Sequence, residues 1–158
     1  KYPGMLKGFA MFHSHASADT EEARENRRRT INIVKLNKGG FIKEFIPDLF
    51  AEENVLKFED EIRALQEQAS KTPAEGIIAA LEAMRDRSAR IELLLNTNVP
   101  VLFIAGKEDS RIPVQNIMAQ AILPAHAEVL IMGKTGHMGF IEAREQTLEM
   151  LSCFARKA

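Results

Sequence analysis

Two short loops hold residue types from which acid–base chemistry is built. Gly106-Lys107-Glu108-Asp109-Ser110-Arg111-Ile112-Pro113 offers a carboxylate, and Gly133-Lys134-Thr135-Gly136-His137-Met138-Gly139-Phe140 offers an imidazole. A carboxylate bonded to a histidine Nδ1 fixes the tautomer and stabilises the imidazolium, while Nε2 serves a nucleophile. Taken singly, Asp109 reads as the start of a turn and His137 as a helix-entry histidine. Each loop, however, follows an apolar stretch of strand length, and in open α/β sheets sites form at the carboxyl ends of strands. As a pair, Asp109 and His137 read as the acid and base of a triad.

A second cluster is His13-Ser14-His15 with Asp19. Histidines two apart share a face if a strand continues through them, which makes His13, His15 and Asp19 an alternative, metal-binding reading. No further His or Cys lies near in sequence, so the adopted reading holds no metal and no cofactor. Asp19 is also a rival for the acid, but it stands farther from its strand and where a helix N-cap is expected; Asp109 is preferred. Lys134-Thr135-Gly136 matches the K-T-G of β-lactamases without any S-x-x-K, and a phosphate loop would need glycine where Glu128 stands. Arg27-Arg28-Arg29 lies among Glu21, Glu22 and Glu25, the pattern of a solvated helix face with paired charges.

The elements that must position these residues follow from apolar patterning. Residues 8–12, 99–105 and 127–132 read as strands, the second and third as near-continuous apolar runs expected to be buried on both faces of a parallel sheet. Residues 114–123 suit a crossover helix with Pro113 in its first turn. Strand, helix, strand is the grammar of an α/β fold. Between the first two strands the chain reads as helix: one capped by Asp19 or Thr20 and ending at Gly39-Gly40, one with Val55, Phe58, Ile62, Leu65 and Ala69 on a stripe, and one with Ile77, Leu81, Met84, Ser88, Ile91 and Leu95. Thr72-Pro73-Ala74-Glu75 has the form of a capping box. The last helix places Ile141, Leu148, Leu151 and Ala155 on one face. The predicted organisation is a core of 1–18 and 97–158 with a helical insertion at 19–96.

Composition narrows the function classes. The chain has 158 residues, 46% hydrophobic and 27% charged, a globular balance. Lys plus Arg is 21 and Asp plus Glu is 22, so a net charge of -1 leaves no electrostatic footprint for nucleic acid. One cysteine, Cys153, allows no internal disulfide and no cysteine-rich zinc site. No apolar run approaches the ~20 residues that cross a bilayer, and the expected location is cytoplasmic.

The motifs resemble the α/β-hydrolase fold family. Val99-Pro-Val-Leu-Phe-Ile-Ala-Gly-Lys-Glu-Asp109 is similar to its seventh strand and acid loop, and Gly136-His137-Met138-Gly139-Phe140 with Glu142 to its histidine loop and last helix. Tyr2-Pro3 and Leu6-Lys-Gly-Phe-Ala-Met-Phe12 are similar to the entry into its sixth strand. The resemblance implies the C-terminal part of that fold, with three parallel strands and the insertion in the place of a helical lid. It also implies Asp109 as acid and His137 as base, with His13, Ser14 and Met138 lining the substrate pocket. The family carries its nucleophile on a G-x-S-x-G elbow ahead of the acid, and no such motif occurs here. The resemblance therefore implies a nucleophile upstream of Lys1, and these 158 residues alone are expected to be catalytically silent.

Epoxide hydrolases of this family use lid tyrosines and haloalkane dehalogenases typically use tryptophan; the insertion has no Tyr and the chain no Trp. The expected reaction of the intact protein is serine-dependent hydrolysis of a carboxylic ester, thioester or amide in a small molecule. A non-catalytic fragment or binding module is the competing class. The apolar, unblunted strand at 8–12 is expected to pair with an N-terminal half or with a second copy.

Overall fold

The computed structural model describes residues 3–157; Lys1, Tyr2 and Ala158, and with Tyr2 the first residue of the stretch likened to the sixth-strand entry, lie outside the described residues. The chain divides into two compact units. One takes the residues up to Ala16, Leu49–Asn54, and everything from Ile91 on; the other takes Ser17–Asp48 and Val55–Arg90. Leu49–Asn54 and Ile91–Leu95, inside the range read as insertion, thus belong with the sheet.

The sheet has three parallel strands, β1 (Phe9–Phe12), β2 (Val101–Gly106) and β3 (Ala127–Met132), in the order β1-β2-β3. Phe9 lies opposite Val101 and Val101 opposite Ala127. Residues 101–105 of the central strand are all 0% exposed. Alternation sends Val101, Phe103 and Ala105 to one face, packed on Leu94, Ile117 and Ala121, and Leu102 and Ile104 to the other, packed on Met132 and Phe154. The first face is covered by α4 (Ile91–Leu95) and α5 (Val114–Ala121), the second by α7 (Arg144–Lys157); between β3 and α7 comes the short α6 (Gly139–Glu142). Helices on both faces are what a both-sides-apolar strand requires.

The third strand departs from expectation. Its exposure alternates: Met132 is buried, while Val129 and Ile131 are 37% and 38% exposed. The strand is one of the two outer strands of this sheet, and its second face has only partial cover. The last helix also turns a different face inward. Thr147 and Phe154 are buried, whereas Leu148 is 62% exposed and Ala155 is exposed too.

The other unit contains α1 (Glu21–Phe45), α2 (Glu59–Ser70) and α3 (Ala74–Asp86) around Ile31, Val34 and Leu81. Thr20, not Asp19, caps α1: its Oγ1 accepts the Ala23 N–H at 3.2 Å. Asp19 instead accepts from the Arg27 guanidinium. Helix α1 does not end at Gly39-Gly40. It breaks at Asn37 (φ -151°, ψ 75°) and resumes to Phe45, because Asn37 Oδ1 accepts the Gly40 N–H at 2.9 Å and so restarts the helix with a new cap. The Thr72–Glu75 capping box is not formed; Pro73 occupies the cap without a side-chain bond. The stripe from Ile77 to Leu95 is not one helix either, since residues 87–90 are non-helical and α4 packs under the sheet. The stripe from Val55 is helical only from Glu59 on. Arg28 and Arg29 pair with Glu21 and Glu25 on the helix surface, where solvent screening leaves such pairs little weight. Among the described residues no helix is long and apolar enough to cross a membrane.

Candidate active site

Strand β2 ends at Gly106, and the loop beyond it closes on itself through Asp109. One carboxylate oxygen, Oδ1, accepts the backbone N–H groups of Arg111 at 2.8 Å and Ile112 at 2.9 Å. This is the local turn that aspartate favours, so the turn reading of Asp109 and its role in a pair describe the two oxygens of one side chain. The other oxygen, Oδ2, receives His137 Nδ1 at 2.9 Å and His13 Nδ1 at 3.0 Å.

The loop carrying His137 is tied down on three sides. Lys107 N–H donates to Met132 O at 2.9 Å and Glu108 N–H to Thr135 O at 3.0 Å, which fastens the two loops to each other. His137 N–H donates to Leu49 O at 2.7 Å. That segment presses on Gly136 so closely that a Cβ there would overlap Leu49 O, Phe50 C and Ala51 N. Glu142, one turn into α6, then gathers the loop: Oε1 accepts Gly136 N–H at 2.9 Å and Met138 N–H at 3.2 Å, while Oε2 accepts Ala51 N–H and Asn54 Nδ2–H, both at 2.8 Å.

His13 follows the last residue of β1. Its N–H completes the ladder on Ile104 O at 2.9 Å, and its φ of 41° then turns the chain out of the sheet. Three residues on, Ala16 N–H donates to the buried Gln120 side chain at 2.7 Å. This turn is why His13 and His15 do not share a strand face. His13 Nδ1 is on Asp109 and Asp19 accepts from Arg27, and among the described residues the set with metal-ligand spacing is His13, Asp109 and His137. The carboxylate on His137 Nδ1 is that of Asp109.

Burial grades the three groups. The Asp109 side chain is 0% exposed, that of His13 2%, and that of His137 28%. Burial alone pushes the Asp109 carboxyl up, the largest single influence, but hydrogen bonds from His13, His137 and the Ile112 N–H, with the charge of His137, outweigh it together and hold the carboxyl well below the usual carboxylate range. The three ligand-type atoms lie within 4.8 Å of one another, a spacing open to a metal ion. Both nitrogen–oxygen pairs are already at hydrogen-bond distance, so the arrangement is self-satisfied as a hydrogen-bonded group.

Of the residues expected in the pocket, Met138 is buried, its N–H on Glu142, and Ser14 is half-buried. His13, also expected there, is buried with its Nδ1 on Asp109. Sequence reasoning missed this contact and the anchoring by Glu142. An open groove of about 380 Å³ lies elsewhere, between β3 and α7, lined by Leu130, Met132, Gln146, Met150 and Cys153. It contains none of the three clustered groups.

No family model matches the sequence, and no curated protein matches it. Solved structures do. A thermophilic esterase from Thermogutta terrifontis, solved with malate bound, is similar at 28% identity and a TM-score of 0.89, over 99% of this chain and 58% of its own. An α/β hydrolase from a Medee basin deep-sea metagenome library is similar at 18% identity and a TM-score of 0.87, over 100% and 59%. The enol-lactonase of Burkholderia xenovorans is similar at 16% identity and a TM-score of 0.84, over 96% and 56%. The chain thus spans under three-fifths of the length of each of these structures.

Proposed function

The chain has the fold of the C-terminal portion of an α/β hydrolase, and from that premise we propose that it supplies the acid and base of a serine-dependent hydrolase of carboxylic ester, thioester or amide bonds. Asp109 orients His137 through Nδ1 and stabilises it when protonated; His137 Nε2 takes the proton of the nucleophile and returns it to the leaving group. In this reading the nucleophile is a serine on a G-x-S-x-G elbow that precedes these residues in the whole protein, as do the oxyanion donors. The helical unit serves as the lid, and Ser14 and Met138, with His13 beside them, belong to the wall of the substrate pocket. The partner is a small ester-like molecule. The other side of β1 pairs with the preceding part of the protein, or with a second copy.

The observation that carries the reading is the 2.9 Å contact from His137 Nδ1 to a carboxylate whose other oxygen is pinned by two backbone amides. A mobile surface pair would not be built this way. In the whole protein, Asp109→Asn is expected to lower kcat on p-nitrophenyl acetate by up to ~10⁴ with the fold retained, as loss of the correct tautomer does in other triads. Turnover within twofold of the unsubstituted protein would overturn the assignment.

A further inference from the structure

The carboxylate of Asp109 serves two histidines, and a triad uses one. We propose that His13 is a positioning residue: its Nδ1–H donates to the same oxygen of Asp109 that receives His137, fixing the carboxylate and limiting the share of its charge that His137 receives. The proposal rests on the reading of Asp109 and His137 as acid and base.

Three features of His13 go beyond what a packing residue needs. It is 4% exposed, yet its 3.0 Å bond reaches a carboxylate 96 positions away in sequence. Its backbone is held in the left-handed region at φ 41°, which a residue with a Cβ rarely adopts. Its ring is trapped from behind as well. Nε2 is buried and has no hydrogen-bond partner among the described residues, and a Cβ on Gly139 would overlap it. The absence of a side chain at 139 is therefore what admits the imidazole. Strain, burial and an orphaned nitrogen are all tolerated to deliver one N–H to Asp109.

The proton count constrains the tautomers. An ionised carboxylate only accepts, so both Nδ1 atoms carry protons, and in the neutral form of each ring Nε2 is then bare. With Arg111 and Ile112 on Oδ1, all four acceptor directions of Asp109 are occupied, and the group has no freedom to swing. Of the charged groups around the histidine loop, Glu142 is committed to the amides of Gly136, Met138 and Ala51 and Lys134 to Glu53 at 3.3 Å, while the acid loop carries Lys107, Glu108 and Arg111 beside Asp109. The Phe12 ring at 4.9 Å and the His137 ring at 5.6 Å flank the His13 ring. Removing the His13 N–H leaves His137 as the one ring donor on Oδ2, so His137 meets a larger share of the negative charge of the carboxylate.

Two measurements test this. Nitrogen-15 NMR of the histidine rings is expected to show His13 protonated at Nδ1 and bare at Nε2; the opposite tautomer overturns the proposal, and this readout needs no turnover. In the whole protein, His13→Phe fills the ring space without a donor and is expected to move the acid limb of kcat/KM upward. His13→Asn, which keeps an N–H at the Nδ1 position and tolerates the left-handed backbone, is expected to return the limb toward its original place. An acid limb unmoved by either variant overturns the positioning role, even if Asp109→Asn abolishes turnover. Should His13→Phe not fold, the tautomer decides. Failure of the hydrolase reading has a separate signature: the expected tautomer with no dependence of turnover on Asp109.

Discussion

Replacing Glu142 by Gln exchanges one carboxylate oxygen for an NH₂ group at a site where both oxygens are fully used. Four N–H donors converge there, at 2.9 and 3.2 Å on Oε1 and at 2.8 Å twice on Oε2. Glutamine retains one acceptor oxygen, so two donors are left facing a third. A bond to a charged acceptor contributes about 1.5–3 kcal/mol. Because Glu142 is only half-buried, water recovers part of the loss, and the expected destabilisation is about 2–4 kcal/mol. At a urea m-value of about 2 kcal/mol/M that lowers the midpoint by roughly 1–2 M with m unchanged. Glu149→Gln, at an exposed position of α7, provides the control and is expected to stay within about 0.5 kcal/mol. Equal urea midpoints for the two variants would refute the view that Glu142 holds together the segments around His137.

Asp109→Asn also carries a stability signature. A carboxyl whose folded pKa is depressed contributes stability that is complete above the unfolded value of about 3.9 and is lost as pH falls through the folded value. The difference in urea stability between the unsubstituted protein and Asp109→Asn is therefore expected to be constant near neutrality and to shrink below about pH 4; a difference that widens on acidification would contradict the hydrogen-bond count at Asp109. Phe103→Ala, at a 0% exposed position in β2, is expected to cost about 3–5 kcal/mol, while Leu148→Ala, 62% exposed, stays within about 0.5 kcal/mol. Similar losses for both, read by thermal melts, would mean the core is misplaced. Asn37→Ala removes the internal cap of α1 and is expected to cost about 0.5–2 kcal/mol in the same melts; an unchanged melting temperature would mean the helix restarts without it.

The three strands and the crossover helix were legible because short apolar runs bounded by turn residues have few other uses. Which strand is central was not. Val129 and Ile131 are as apolar as Val101 and Ile104, and only the sheet order tells an outer strand from an inner one. The breaks in the helical unit were half-legible: Gly39-Gly40 marks the neighbourhood of the kink, but the capping contact from Asn37 to Gly40, which lets the helix resume, leaves a pattern that reads equally as a helix end. At residues 87–90 no Gly or Pro announces the break. The Asp109 and His137 pair was readable from two loops after two strands. His13 joins it only through a left-handed turn and a contact 96 positions long, and neither leaves a local mark. Glu142 is legible as part of the histidine-loop motif, but its anchoring role is not, because its four donors come from the backbone and from Asn54, which no side-chain pattern records.

The pairing of the strands also orders the folding of the sheet. Val101 meets Ala127 across a short crossover, whereas Phe9 meets Val101 across the whole helical block. The entropy of closing a loop rises with the logarithm of its length, by about 0.6 kcal/mol per doubling, so pairing of β2 with β3 around α5 is favoured to come first. The helical unit shortens the longer path by folding: Arg87 Nη2 donates to Ser17 O at 2.8 Å and brings together its first and last segments. With that path shortened, pairing of β1 with β2 carries a smaller loop-closure cost. The strand that leads into His13 is favoured to dock after β2 and β3 have paired, and Asp109 holds its full set of donors only when the native topology is complete.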